Sequence, residues 1–235
     1  MASLQKPALV ASLTLNAVML AVAVYFVPKA LDGYSDLESI LRAFVDRRVG
    51  SFNATRVAKA DVAFIGDSIT HEGLWGEYFP ELVVVNRGIS GAKTRDLFDL
   101  LPDIAQHQPD KVFVLVGIND LNAKLSVAEI TQDYNTFYDK VEALFPQAQV
   151  YVQSVMPVND DWVFDVQDSD ITALNQVLQA QAQTRGFTFV DLVPALSAED
   201  GTLNPLLSND GIHLTHAGYE AWLKIIDPLV LGEGS

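Results

Sequence analysis

The chain contains no cysteine among its 235 residues. That excludes a disulfide framework, a thiolate metal site and a cysteine nucleophile, and it fits either side of a membrane. Positive charge is scarce: 15 Lys and Arg stand against 30 Asp and Glu, a formal net charge of −15. A nucleic-acid binder needs a basic face, so that class is excluded, and strongly anionic partners are disfavoured too. Charged residues make up only 19% of the chain and apolar residues 49%, so there is material for a core and the chain is not an acidic disordered tail. There is no internal repeat and no low-complexity segment. The length suits one domain with an appendage.

The appendage is the N-terminus. No residue from Pro7 to Pro28 is charged, and Ala8 to Val27 reads ALVASLTLNAVMLAVAVYFV. As a helix these residues would span about 30 Å, the thickness of a bilayer core. Lys6 and Lys29 bracket the run, and Tyr25 and Phe26 suit one interface. The expectation is a transmembrane anchor through residues 8–27. Two other readings stay open. One is a signal peptide cleaved after Ala21-Val22-Ala23, although the apolar run continues past that point to Val27. The other is a buried helix, since Ser12, Thr14 and Asn16 are mild for a span. Flanking charge leaves the orientation open: Lys6 and the α-amino group face Lys29, Arg42 and Arg47, a count that leans toward a cytoplasmic domain.

Residues 34–49 place Leu37, Ile40, Leu41, Phe44, Val45 and Val49 at spacings of three and four, which predicts an amphipathic helix. The expected organisation is therefore anchor or signal segment at 1–29, juxtamembrane helix and linker at 30–58, and the main domain at 59–235. Within that domain, short apolar runs at 61–66, 82–86, 111–116, 149–155 and 187–191 read as strands. Helical patterns fill roughly 93–106, 126–144, 168–185 and 215–230. Strands that are apolar throughout and alternate with helices predict an α/β fold with a five-stranded parallel sheet covered on both faces. In such a sheet ligands bind outside the carboxyl ends of the strands, so the polar residues there carry the chemistry.

Four strand ends are informative. After the first strand comes Gly66-Asp67-Ser68-Ile69-Thr70. A serine on a tight glycine turn can expose its hydroxyl, though alone it reads better as a helix cap. After the second comes Asn86-Arg87-Gly88-Ile89-Ser90-Gly91, a glycine-rich turn into a helix and a candidate anion site. It lacks the spacing of a dinucleotide fingerprint. After the third comes Gly117-Ile118-Asn119-Asp120, whose Asn119 amide can donate toward the same point or simply cap a turn. Near the C-terminus comes Asp210-Gly211-Ile212-His213. There a carboxylate can hold the imidazole Nδ1–H and leave Nε2 as a base.

Together these four segments, in this order, resemble the GDSL esterase/lipase family, also called SGNH hydrolases. The likeness covers about residues 60–231, with Ile69 standing where the family name has Leu. The resemblance implies a flavodoxin-like three-layer α/β/α fold and a serine esterase with no cofactor and no metal. It further implies Ser68 as nucleophile, His213 as general base and then acid, and Asp210 as the residue orienting His213. The implied oxyanion hole is the backbone N–H of Ser68, the backbone N–H of Gly91 and the side chain of Asn119. Asp67 is expected to be a structural acceptor. Family members act on short acyl esters, acetylated carbohydrates, lysophospholipids and thioesters. The absence of a large apolar lid insertion favours short acyl or O-acetyl esters here. The alternatives are a lysophospholipase or thioesterase, an O-acyltransferase to carbohydrate and, remotely, a non-catalytic binding domain. A lone N-terminal span on such a hydrolase suggests a domain outside the cytoplasm, periplasmic if the source is bacterial, or secreted after cleavage.

Other residues are read more plainly. His107 is expected to cap a helix C-terminus, Asp120 to accept within its own turn, and His216 not to join a metal pair. His71, Trp75, Trp162 and Phe164 are candidates for lining a substrate pocket, the latter two within the acidic stretch 159–170.

Overall fold

The computed structural model describes residues 39–232 apart from Leu41 and residues 160–165. The expected span at 8–27 lies outside the described residues. Among the described residues no helix is long and apolar enough to cross a membrane.

The chain divides into two units, Met1–Ser51 and Phe52–Ser235. In the first, the amphipathic pattern is realised as helix at residues 39–40 and from 42 onward. The second carries the sheet. Its strands are β1 (Val62–Gly66), β2 (Val84–Gly88), β3 (Lys111–Leu115), β4 (Gln149–Gln153) and β5 (Thr188–Val190), all parallel, in the order β2-β1-β3-β4-β5. This is the flavodoxin-like strand order, with its switch point between β1 and β3. Gly66 pairs with Gly88 on one side and Leu115 on the other, so three strand ends finish at one level.

The helices are α1 (Ser68–Glu72), α2 (Trp75–Tyr78), α3 (Leu101–Ala105), α4 (Ile118–Asn122), α5 (Val127–Leu144), α6 (Asp168–Arg185), α7 (Val193–Leu196) and α8 (His216–Leu231). A Ser126–Glu129 capping box starts α5. Gly186 in the left-handed region ends α6.

Two elements differ from the sequence pattern. The second strand runs Val84–Gly88 rather than 82–86, because it must carry Asn86, Arg87 and Gly88 level with the end of β1. The helix read at 93–106 is a 3₁₀ segment, Thr94–Leu100, followed by α3, with Pro102 at its first turn. Proline has no N–H with which to continue a ladder, but it suits a helix start.

One sheet face is aromatic. Phe64, Phe113 and Tyr151 lie opposite one another in register on β1, β3 and β4. Phe64 stacks on Trp75 with ring centres 4.0 Å apart, and Trp75 meets Trp222 of α8 edge-on at 4.8 Å. These contacts clamp α2 and α8 to the sheet beside the end of β1.

Residues 52–58, read from the sequence as linker, pack on the main unit. Phe52 is buried beneath the Arg87 guanidinium, 4.5 Å from the ring centre. Arg87 Nη2 donates to Thr55 Oγ1 at 3.3 Å and to His107 Nε2 at 2.9 Å. His107 Nδ1 in turn donates to the Val57 carbonyl at 2.6 Å. His107 is thus a buried clamp on a segment fifty residues away rather than a helix cap.

Candidate active site

The turn that carries Ser68 is set by close approach. A Cβ on Gly66 would sit 2.1 Å from the Leu115 carbonyl oxygen and 2.3 Å from Thr70 Oγ1, so glycine is required there. Asp67 caps α1 by accepting from the Ile69 N–H at 3.0 Å. Asp67 therefore takes the capping role that Ser68 could have filled, and Ser68 becomes the first residue of α1, half-buried at the strand end.

The structure brings Ser68, His213 and Asp210 together across 145 residues of chain: Ser68 Oγ lies 3.0 Å from His213 Nε2, and His213 Nδ1 lies 2.6 Å from Asp210 Oδ2. The carboxylate requires Nδ1 to be the donor, which leaves Nε2 as acceptor for the serine hydroxyl. Asp210 Oδ1 also accepts from the Ile212 N–H at 3.0 Å and the His213 N–H at 2.8 Å. Partial burial pushes the Asp210 carboxyl up, but these hydrogen bonds outweigh it and hold the group at about 2.

Ser68, Gly91 and Asn119 sit on the three strand ends around this line. The Ser68 N–H opens α1 and has no intrahelical acceptor. Gly91 adopts a φ of 77°, and among the described residues its N–H makes no hydrogen bond. Asn119 Nδ2 donates one hydrogen to the Ala92 carbonyl at 3.0 Å, which holds the amide beside the Gly91 loop. Gly117, with a φ of 132°, makes the turn that starts α4.

Two buried carboxyls lie behind these groups. Burial pushes Asp67 up to about 7, against the pull of the Ile69 N–H and of His213. Its Oδ2 is buried with no hydrogen-bond partner. Burial also pushes Asp120 up to about 6, against hydrogen bonds from Thr94. Asp120 does not accept within its own turn. It receives the Thr94 N–H at 3.0 Å and the Thr94 hydroxyl at 3.3 Å, tying α4 to the segment after β2. Nothing local in the sequence signals that pairing.

The pocket candidates divide. His71 is half-buried, with Nδ1 2.8 Å from Ser90 Oγ. Trp75 does not line a pocket: it is 1% exposed within the aromatic core, and its indole N–H is satisfied by the Thr70 carbonyl at 2.8 Å. Trp162 and Phe164 lie outside the described residues. His216 is exposed and pairs with Glu220 at 3.2 Å. Among the described residues no group of three His, Cys, Asp or Glu side chains could hold a metal ion. Asp67 together with Ile69, Leu115, Ile118, Val155 and Met156 lines a crevice that is closed to a water-sized sphere.

Comparison with known proteins matches this architecture. The GDSL-like Lipase/Acylhydrolase family profile matches residues 64–221. The chain is 28% identical over 177 residues to platelet-activating factor acetylhydrolase IB subunit alpha1 of Rattus norvegicus, covering 73% of this chain and 75% of that protein. A solved structure from Streptococcus pneumonia named for platelet activating factor superposes with a TM-score of 0.78 at 26% identity, covering 85% of this chain and 99% of that one. A GDSL-like lipase from Bacteroides thetaiotaomicron shares the fold at a TM-score of 0.68 and 22% identity, covering 80% and 97%. With a serine, a histidine and a carboxylate in hydrogen-bonded line at the sheet's carboxyl end, the chain belongs to the GDSL-like lipase/acylhydrolase family and is an ester-hydrolysing enzyme.

Proposed function

We propose that this enzyme hydrolyses short acyl esters, acetyl esters foremost, through an acyl-enzyme on Ser68. The observation that carries the reading is the line from Ser68 Oγ to His213 Nε2 at 3.0 Å and from His213 Nδ1 to Asp210 Oδ2 at 2.6 Å. A serine hydroxyl is a weak nucleophile until an adjacent base takes its proton. In the first half-reaction Ser68 Oγ bonds to the ester carbonyl carbon while its proton passes to His213 Nε2. Charge develops on the former carbonyl oxygen, toward which the N–H groups of Ser68 and Gly91 and the Asn119 amide donate. Collapse breaks the acyl C–O bond, and His213 returns the proton to the departing alcohol. Water then repeats the sequence on the acyl-enzyme and releases the acid. Asp210, held ionised, keeps Nδ1 protonated and stabilises the imidazolium.

The short-acyl assignment is supported by the acetyl specificity in the name of the rat relative. The uncharged run at 8–27 supports membrane attachment, with the domain outside the cytoplasm, as part of the same proposal. The test is a series of p-nitrophenyl esters from acetate to palmitate, assayed on the wild type beside Ser68→Ala. Activity greatest at acetate and lost in the variant supports the reading. Equal activity in Ser68→Ala overturns the nucleophile, and an optimum at long chains overturns the acyl class.

A further inference from the structure

We propose that His71 is a positioning residue for the oxyanion hole, because its bond to Ser90 fixes the loop tip that carries the Gly91 N–H. The inference rests on the hole assigned above. The loop after β2 is tied down at both ends. At the near end the Ile89 N–H donates to the Gly66 carbonyl at 3.0 Å. At the far end the Ala92 N–H donates to the Ile89 carbonyl at 3.1 Å, Asn119 holds the Ala92 carbonyl, and Asp120 holds Thr94.

Between these anchors Ser90 and Gly91 are exposed. Among the described residues their one hydrogen bond runs from Ser90 Oγ to His71 Nδ1, at 2.8 Å. Packing does not hold the tip either, since a Cβ added at Gly91 would meet nothing within 4 Å. A left-handed glycine with open space around it has several conformations of similar energy, and only some aim its N–H at the nucleophile.

His71 is a rigid post for this purpose. Its N–H donates to the Asp67 carbonyl at 2.9 Å, and its own carbonyl accepts from Asn86 Nδ2 at 3.0 Å. Gly88 approaches so closely that a Cβ there would lie 2.2 Å from the His71 nitrogen. His71 also stands three residues after Ser68, on the neighbouring position of the same helical face. One turn of α1 therefore carries the nucleophile at one end and the brace for the oxyanion donor at the other. The placement of the Gly91 N–H relative to Ser68 Oγ is thereby referred to a single helical turn. A role as a second base is not needed, because His213 already meets Ser68 Oγ.

The experiment measures kcat and KM for p-nitrophenyl acetate on the full chain carrying His71→Ala, Ser90→Ala, both together, and His71→Asn. Loss of a whole oxyanion donor costs on the order of 10²–10³ in kcat, so a donor left in place but unfixed is expected to cost about tenfold. Each alanine variant should lose that factor in kcat with KM nearly unchanged, and the double variant should be no worse than either single one. His71→Asn, which keeps a polar atom near the Nδ1 position, should recover most of the loss. Ser90 is exposed, so its alanine variant leaves folding intact and keeps the test decisive if His71→Ala is poorly folded. Undiminished kcat in Ser90→Ala, multiplying losses in the double variant, or an effect on KM alone overturns the proposal. Asn119→Ala separates the two levels. If it lowers kcat while the His71 and Ser90 variants do not, the hole stands and the brace falls. If neither Asn119→Ala nor Ser68→Ala affects kcat, the site itself is misassigned.

Discussion

Asp67→Asn should remove a pH dependence of stability that the buried carboxyl builds into the fold. Asp67 is fully buried, its Oδ2 has no partner, and burial raises it from 3.8 to about 7. Well below pH 4 the carboxyl is protonated in both folded and unfolded chains. Between about 4 and 7 the unfolded chain loses its proton while the folded chain keeps it, so stability falls as pH rises and levels off above 7. A rise of that size corresponds to about 4 kcal/mol, of which more than half falls between pH 5 and pH 8. Asparagine keeps an oxygen for the Ile69 N–H and does not titrate. Any fixed cost of burying its amide nitrogen is the same at both pH values and cancels in the difference. Urea unfolding of wild type and variant at pH 5 and pH 8 provides the measurement. The wild type should lose stability relative to the variant by about 2–3 kcal/mol on going to the higher pH. If the two proteins keep a constant difference, Asp67 titrates as an ordinary exposed carboxyl and burial does not raise it.

Other perturbations test other links. Asn119→Ala should lower kcat on acetyl esters by on the order of 10²-fold with little change in KM, as steady-state kinetics would show. Asp210→Asn should lower kcat by on the order of 10³-fold, because an amide can donate to the ring and favour the wrong tautomer; an unimpaired variant would remove Asp210 from the site. Gly88→Ala places a Cβ 2.2 Å from the His71 nitrogen and 2.6 Å from its Cα, both backbone, so α1 must move. That overpacking should cost about 1–3 kcal/mol in chemical denaturation and reduce activity with it. His107→Ala leaves Arg87 and the Val57 carbonyl without their shared partner, and should expose the chain near residue 57 to limited proteolysis.

What could be read from the sequence follows from the range of the interaction concerned. Strands β1, β3 and β4 are legible because a parallel strand covered on both faces must be apolar at successive positions. Ser68 and Asn119 are legible as candidates because ligands in such a sheet gather at strand ends, whereas His213, on the loop before α8 and 23 residues past β5, is legible only through the family resemblance. Trp75 is misread for a related reason. It follows closely on Ser68, so it reads as a candidate pocket wall, whereas the structure buries it while Leu74, Gly76 and Glu77 beside it are exposed. What buries it is Trp222, almost 150 residues later, packed into the same cluster as Phe64. Asp120 reaches Thr94 across 26 positions and His107 reaches Val57 across 50, and neither separation leaves a periodic trace. His71 and Ser90 belong to this second kind. Each looks like an ordinary polar residue beside a motif, and it is the closeness of Gly88 to Thr70 and His71 of α1 that brings them within 2.8 Å. The proposed nucleophile and amide donor are therefore marked by their place at strand ends, while the residues proposed to aim them depend on contacts the fold creates. A serine, a histidine and a carboxylate in the right order identify the reaction class. On the proposed reading, the placement of the Gly91 N–H relative to Ser68 depends on helix α1 and on Gly88 packed against it.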